Sequence, residues 1–257
     1  MKKYALITGA SSGIGLAFTE IFAKDHINLV LVARSIDALK SIQSHLQNTY
    51  NIDVHVIEKD LSKIESVEEV FEYTESQNLQ IDYLVNNAGF GDYGNFVESD
   101  ISRNTQMISL NTIALTNMCR LYSETMKKHK FGRILNIAST AAFQPGPYMA
   151  VYFATKSYVL SFSLALSTEL KEFGVTVSTL CPGPTESKFE LTANATGVSL
   201  FSGKLPTSHE VALFGYKKML KGKKVAIHGI INNIKAQSVK FLPMNIRLFM
   251  MKLIMKR

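Results

Sequence analysis

Thr8-Gly9-Ala10-Ser11-Ser12-Gly13-Ile14-Gly15 joins an apolar run at residues 4–8 to a helical-period stretch that continues to about residue 24. A glycine-rich turn after a first strand and before a first helix is where a dinucleotide-binding fold places its phosphate loop. Gly9 permits the tight turn, Gly13 lets the backbone approach a pyrophosphate, and Gly15 lets the helix pack closely on the strand. Backbone amides around Ser11, Ser12 and Ile14, at the helix N-terminus, then face the phosphates.

The rest of the chain agrees with that reading. Apolar runs at 28–33, 53–58, 82–86, 133–138 and 176–181 read as further buried strands. Helical-period stretches at 35–47, 64–76, 101–111, 114–128 and 151–173 lie between them. Strands alternating with helices predict an α/β fold, a Rossmann-type doubly wound parallel β-sheet with helices on both faces. Beyond the sixth strand, residues 184–207 mix Ser, Thr, Gly and Asn with Phe189, Leu191, Leu200 and Phe201, which suggests a mobile substrate loop. A short helix at 208–220 and a last strand at 224–228 follow. Residues 1–233 are expected to form one domain, with 234–257 a basic amphipathic tail split into two helices at Leu242-Pro243.

At 257 residues and 46% hydrophobic content the chain can bury a full core, which argues against disorder. Cys119 and Cys181 are too few for a disulfide framework, and they read as buried small hydrophobes in a reducing, cytoplasmic setting. The six histidines show no metal-ligand spacing, so no metal is expected. The apolar stretch after Lys2-Lys3 is broken at Thr8-Gly9, so it reads as a strand and not as a signal peptide. No run approaches the roughly 18 apolar residues of a membrane span. The net charge of +7 is uneven. After Glu210 there are eleven Lys and Arg and no acid, which leaves 17 cations against 21 acids, a net −4, in residues 1–210. No interleaving of cations with stacking aromatics points to nucleic acid. The tail could lie on an anionic membrane surface, or pack on its own domain or a partner subunit.

The second strand ends Ala33-Arg34-Ser35. A site for NAD usually carries an acid here for the ribose 2′-hydroxyl; Arg34 and Ser35 instead offer a cation and a hydroxyl to a 2′-phosphate, so NADP(H) is preferred over NAD(H). The alternative is a solvated arginine opening a helix. Tyr152 and Lys156 stand one helical turn apart on one face. An ammonium beside a phenol stabilises the phenolate and lowers a pKa that is otherwise about 10.

These segments together resemble the short-chain dehydrogenase/reductase family, in its single-domain, NADP-preferring branch, and the tail is similar to that of a bacterial ketoreductase-like subgroup. The resemblance rests on Thr8-Gly9-x-x-x-Gly13-x-Gly15, Asp60-Leu61, Asn86-Asn87-Ala88-Gly89, Asn111, Ser139, Tyr152-x-x-x-Lys156 and Pro182-Gly183-Pro184-Thr185, over about residues 4–185. It implies that Asp60 and Leu61 contact the adenine end and that Asn87, Ala88 and Gly89 line the cofactor cleft. Pro182, Gly183 and Thr185 would hold the nicotinamide. It also implies Tyr152 as acid and base, Lys156 lowering its pKa and bonding the nicotinamide ribose, Ser139 on the substrate oxygen, and Asn111 holding a water that links Lys156 to solvent. Seen alone, Ser139 could be a turn cap and Asn111 a solvated helix residue. The expected reaction interconverts a carbonyl and an alcohol. Substrate contacts are expected from Phe143, Tyr148, Met149 and the 184–207 loop, which favours a hydrophobic substrate. A homodimer or homotetramer through the helices around 115–126 and 152–170 is also implied. The rival readings are a non-catalytic NADP(H)-binding sensor and a membrane-surface interaction protein.

Overall fold

A computed structural model describes residues 2–256, with the backbone alone at Lys240; Met1 and Arg257, the last residue of the expected tail, lie outside the described residues. Seven parallel strands form one sheet in the order β3-β2-β1-β4-β5-β6-β7. They are β1 (Tyr4–Thr8), β2 (Asn28–Ala33), β3 (Val54–Glu58), β4 (Ile81–Asn86), β5 (Gly132–Ile137), β6 (Val175–Cys181) and β7 (Val225–Ile227). β1, β4 and nearly all of β2, β5 and β6 are buried, as continuous apolar runs require when helices cover both faces. The doubly wound α/β sheet expected from the sequence is the fold found.

Helices α1 (Gly13–Lys24), α2 (Ile36–Tyr50) and α3 (Ser66–Ser76) connect the first four strands. α4 (Ile101–Ile108) runs into α5 (Leu115–His129) through a π-helical segment, Ser109–Ala114. The two helices expected at 101–111 and 114–128 are therefore one rod, with the wider turn at Asn111. Such single π turns occur often at functional sites. The long helix expected at 151–173 is α6 (Ala150–Glu169), followed by a separate 3-10 turn, Lys171–Phe173. α7 (Phe189–Thr192), α8 (Ser208–Leu220), α9 (Ile230–Ser238) and α10 (Met244–Ile254) complete the chain.

Two apolar clusters lie on opposite faces of the sheet. One gathers β-strand residues with Tyr122, Met118 and Val159 from α5 and α6; the other gathers Phe18, Phe22 and Leu39 from α1 and α2 with Val211 and Met219 from α8. A third cluster sits outside the sheet and joins Met107, Met149, Tyr152 and Phe153 to Ala193, Ala195, Val198, Met251 and Met255.

That third cluster changes two expectations. Residues 184–207 are packed and not loose: Ala193, Ala195 and Val198 are buried, Tyr93 N donates to Ala193 O at 2.8 Å, and Arg103 Nη2 donates to Thr192 O at 2.6 Å. The residues that fit against the cluster are Ala193, Ala195 and Val198, and not the Ser, Thr, Gly and Asn that gave the stretch its loop-like composition. The tail begins its first helix at Ile230, before the expected boundary at 234, and it packs on its own domain through Met251 and Met255. The break at Leu242-Pro243 is observed between the 3-10 turn Val239–Phe241 and α10. Among the described residues no helix is long and apolar enough to cross a membrane.

Candidate active site

β1 and β4 are neighbours where the strand order reverses, so a crevice opens beyond their carboxyl ends. It holds a cavity of about 480 Å³, within the ordinary range for a ligand site. One end of the cavity is built from the β1–α1 turn. Gly9 (φ 65°) and Gly13 (φ 56°) take the left-handed backbone that glycine allows at little cost. A Cβ on Gly9 would stand 2.9 Å from Asn87 Nδ2, and one on Gly15 only 2.1 Å from Gly9 O. The turn is held from the next strand: Thr8 Oγ1 accepts from Asn87 N (3.0 Å) and Ala88 N (2.9 Å), while Asn87 Nδ2 donates to Thr8 O (3.0 Å). α1 starts at Ser12 with no side-chain cap and no acid in its first turn, so its leading amides are left for an anion.

Farther along the wall, Arg34 and Ser35 stand exposed at the end of β2 beside Lys59, Asp60 and Leu61. Lys59 is paired with Glu69, and Asp60 Oδ1 accepts from Ser62 N and Oγ, which fixes its carboxylate in a local turn. The end of β2 itself carries no acid, since Ala33 and Ser35 flank Arg34; Glu58, Asp60, Glu65 and Glu69, from β3 and beyond, border the same surface as Arg34. This set fits a dinucleotide whose adenosine ribose carries a phosphate: glycine turn, open helix amides, then a cation.

At the middle of the cavity, Tyr152 and Lys156 project from α6, both buried, at 8% and 6% exposure. Lys156 Nζ lies 5.7 Å from the Tyr152 ring centre and donates to Ile137 O at 2.9 Å. Burial pulls the Lys156 ammonium down to about 8, with the nearby Cys181 thiol acting against that shift. Burial pushes the Tyr152 phenol up to about 12, opposed by a hydrogen bond from Ser139. The expected lowering of the phenol by Lys156 is thus not what the bare protein shows. Desolvation sets the direction with only Ser139 opposing it, and the ammonium is turned toward the Ile137 carbonyl. Ser139 sits at the end of β5, caps the 3-10 turn Thr140–Phe143 by accepting from Ala141 N (3.1 Å), and also faces Tyr152. The turn-cap reading is thus observed, and the same side chain stands beside the phenol.

Asn111 is buried behind this centre. Its Oδ1 accepts from Phe90 N (3.1 Å), and its Nδ2 donates to Phe90 O (2.9 Å) and Thr155 Oγ1 (3.1 Å). Both amide hydrogens are engaged, while Oδ1 keeps a second lone pair that a water could donate to. What the side chain does is clamp the backbone of Phe90, fixing the segment after Gly89 above the pocket. An added Cβ at Gly89 would lie 2.9 Å from Asn111 Oδ1 and 3.5 Å from Lys156 Nζ, so both groups border one small space.

Past Tyr152 the cavity becomes apolar, walled by Phe90, Met149, Phe153, Phe189, Leu200, Phe201 and Met251. The Phe189 ring lies 5.3 Å from that of Tyr152 and 6.2 Å from that of Phe201. Gln144 is a polar exception, its Nε2 donating to Met251 Sδ at 2.8 Å.

The structure brings Gly9, Ser11, Ser12, Gly13, Ile14, Arg34, Ser35, Asp60, Leu61, Asn87, Ala88, Gly89, Ser139, Tyr152, Lys156, Pro182, Gly183 and Thr185 to one cavity wall. Gly15 and Asn111 are not on that wall and act from behind it. Of the expected substrate contacts, Met149 lines the chamber; Phe143 packs on the core, and Tyr148 packs on the Tyr93 ring (5.9 Å) instead. Gln144, Phe90, Phe153 and Met251 were missed. Phe90 directly follows Asn-Asn-Ala-Gly and Gln144 follows the Ser139 turn, a signal of adjacency. Met251 gave none, because it arrives from 99 positions beyond Tyr152.

The description "short chain dehydrogenase" belongs to a family model that matches residues 3–196. The mouse (Mus musculus) 17-beta-hydroxysteroid dehydrogenase type 3 is 32% identical over 184 residues, 71% of this chain and 60% of the relative. The chain thus spans about three fifths of the length of the curated relatives that head the comparison. Among solved structures, a short-chain dehydrogenase from Sphingobium yanoikuyae in complex with NADPH is 28% identical, with a TM-score of 0.84 over 94% of this chain and 93% of that one. A bulky-bulky ketone specific alcohol dehydrogenase from Comamonas testosteroni, also 28% identical, gives a TM-score of 0.79 over 94% and 92%. With the family pattern running from β1 into the α7 region and a solved relative sharing the fold over 94% of the chain, this chain belongs to the short-chain dehydrogenase family.

Proposed function

We propose that the chain is an NADP(H)-dependent oxidoreductase that interconverts a hydrophobic ketone or aldehyde and its alcohol. The observation that carries this reading is the junction inside one cavity: a buried phenol, flanked by Ser139 and Lys156, separates a polar dinucleotide cradle from an apolar chamber. A bound nicotinamide supplies the hydride in reduction and accepts it in oxidation. Tyr152, held protonated at neutral pH, donates its proton to the carbonyl oxygen as the carbon is reduced. Ser139 donates a hydrogen bond to the same oxygen and stabilises the charge that develops there. Lys156, bonded to Ile137 O, holds the positive charge beside the phenol and stabilises the phenolate left behind. In oxidation the same groups run in reverse, with Tyr152 as the base.

The apolar chamber supports a bulky hydrocarbon skeleton, and the names of the steroid and bulky-ketone relatives agree with it. Arg34 and Ser35 support NADP(H) over NAD(H), as does the NADPH complex of the Sphingobium protein. Exposed apolar side chains on the α4–α5–α6 side, Ile108, Ile113, Tyr158 and Leu164, support a homodimer or homotetramer. We place the enzyme in the cytoplasm, on the strength of its two unpaired, buried cysteines.

The test is a panel of apolar ketones and aldehydes with NADPH or NADH, followed at the nicotinamide absorbance, in wild type and Arg34→Ala. Wild type is expected to oxidise NADPH in preference to NADH. Arg34→Ala should raise KM for NADPH by roughly 10- to 100-fold, the worth of a charge-assisted phosphate contact, and leave that for NADH nearly unchanged. Equal losses with both cofactors would remove the 2′-phosphate assignment. No turnover of any carbonyl by wild type, with NADPH bound, would leave the sensor reading.

A further inference from the structure

α10 contacts the protein along one side and is apolar on others. Met251 and Met255 point inward, where Met251 walls the substrate chamber, and the turn beyond is pinned by Tyr93 Oη to Met255 O (2.7 Å) and Ser199 N to Lys256 O (3.2 Å). Away from that contact, Ile246, Phe249, Met250 and Leu253 are exposed, Phe249 by 65%; on the preceding turn Phe241 is 86% exposed, and on α9 Ile230, Ile231 and Ile234 are exposed as well. An eleven-residue helix is marginal in water by itself, and one apolar on several sides belongs in apolar surroundings. A patch of this extent marks a contact surface.

We propose that α9, α10 and the turn between them dock on an anionic lipid bilayer, and that docking sets the outer wall of the substrate chamber at the membrane interface. Charge selects this occupant. Residues 211–257 carry eleven cations and no acid, against a net −4 in the rest of the chain. A second copy placed face to face would bring together two surfaces of the same positive sign, with no acid on α9 or α10 to offset Lys235, Lys252 and Lys256. An anionic bilayer supplies negative headgroups for the cations and an acyl boundary for Phe241, Phe249 and Leu253. Because Met251 faces the chamber from the same helix that presents Phe249 outward, a lipophilic substrate leaving the bilayer meets the wall of the site first. The docking does not depend on the chemistry at Tyr152; the delivery of substrate rests on the reductase reading.

The test uses the full chain with NADPH and vesicles of phosphatidylcholine alone or with phosphatidylglycerol at about one lipid in three. Co-sedimentation should be at least about tenfold greater with phosphatidylglycerol, and should fall several-fold when salt shortens the Debye length from about 10 Å to about 3 Å. Phe249→Glu with Leu253→Glu should lose that binding, keep NADPH affinity, and reduce a small water-soluble ketone within about twofold of the wild-type rate. Lys235→Glu with Lys252→Glu, which leaves the apolar face untouched, should weaken it similarly. Equal sedimentation on both lipid mixtures, or unchanged binding in both variants, would overturn the proposal. So would a lower oligomeric mass of the Phe249/Leu253 variant in lipid-free buffer without vesicle binding by wild type, which would make a second copy the occupant. With phosphatidylglycerol vesicles, a long-chain ketone that partitions into the bilayer should turn over several-fold faster in wild type than in the variant, while the small ketone does not distinguish them. Equal rates on the long-chain ketone would overturn delivery. Vesicle binding without turnover of any ketone would sink the reductase reading, and delivery with it, and leave the docking standing.

Discussion

Tyr152→Phe is expected to lower kcat for ketone reduction by about 10³-fold, close to 4 kcal/mol of transition-state stabilisation, with NADPH affinity nearly unchanged. The substitution removes one hydroxyl and little else. The ring keeps its neighbours, Phe189 at 5.3 Å and Phe153 at 6.1 Å, so the partition between cradle and chamber keeps its shape. If Tyr152 only shaped the pocket, KM would move and kcat would hold. If it supplies the proton, kcat falls and KM holds, because the interaction exists only as charge develops on the substrate oxygen. Burial pushes the phenol up to about 12, so at neutral pH it carries the proton that reduction consumes. Oxidation starts from the phenolate that reduction leaves behind, so the same burial weighs on both directions. Steady-state kinetics in both directions with NADPH binding measured by fluorescence would separate these roles, and an unchanged kcat in Tyr152→Phe would exclude Tyr152 as the acid.

The parts of this site that can be read from the chain are those whose cause is local. Gly9 and Gly13 are required by a turn only eight residues long, and the strand that precedes it announces itself as an unbroken apolar run. The Tyr152–Lys156 spacing is a property of one helix. What cannot be read is set by packing between distant segments. Nothing near Met251 says that it will meet Gln144, 107 positions earlier, and the amphipathic pattern of α10 is satisfied equally by a membrane, a partner or the pocket it lines. Residues 184–207 look mobile because Ser, Thr, Gly and Asn are interspersed among their apolar side chains. Their anchors, Ala193, Ala195 and Val198, join a cluster with Met149 and Met255 that comes from distant segments. The π turn at Ser109–Ala114 is hidden for another reason, since one widened turn hardly disturbs the apolar period on either side. The role of Asn111 follows from that turn and from its clamp on Phe90, neither of which is local to it.

The second large effect concerns Lys156, and it moves stability and activity in opposite directions. Lys156→Met is expected to abolish measurable reduction while raising the melting temperature of the cofactor-free protein at pH 7. The ammonium is 6% exposed, and burial brings its pKa from an ordinary value near 10.5 to about 8. At about 1.4 kcal/mol per pKa unit, holding it charged in the folded state costs about 3 kcal/mol, of which the loss of the bond to Ile137 O gives back about 1. Methionine has similar length and no charge, so a net gain of about 2 kcal/mol, or roughly 4–8 °C for a chain of this size, should appear in thermal unfolding. The sign with pH follows from the depressed pKa. Below about 8 both folded and unfolded states bind the proton and the full penalty stands. Between about 8 and 10.5 the unfolded state binds more protons than the folded one, so wild-type stability rises with pH and the advantage of the variant shrinks. The Tyr152 phenol acts in a separate window, losing stability only from about 10 toward 12. Melting curves at pH 7 and pH 10 therefore isolate the lysine. A variant no more stable than wild type at pH 7 would mean that the ammonium is not desolvated as the structure has it. A gain that persists undiminished at pH 10 would mean that its source is packing and not charge. Found as expected, the pair of results would show Lys156 kept at the expense of the fold, which is the mark of a residue retained for what it does to a proton.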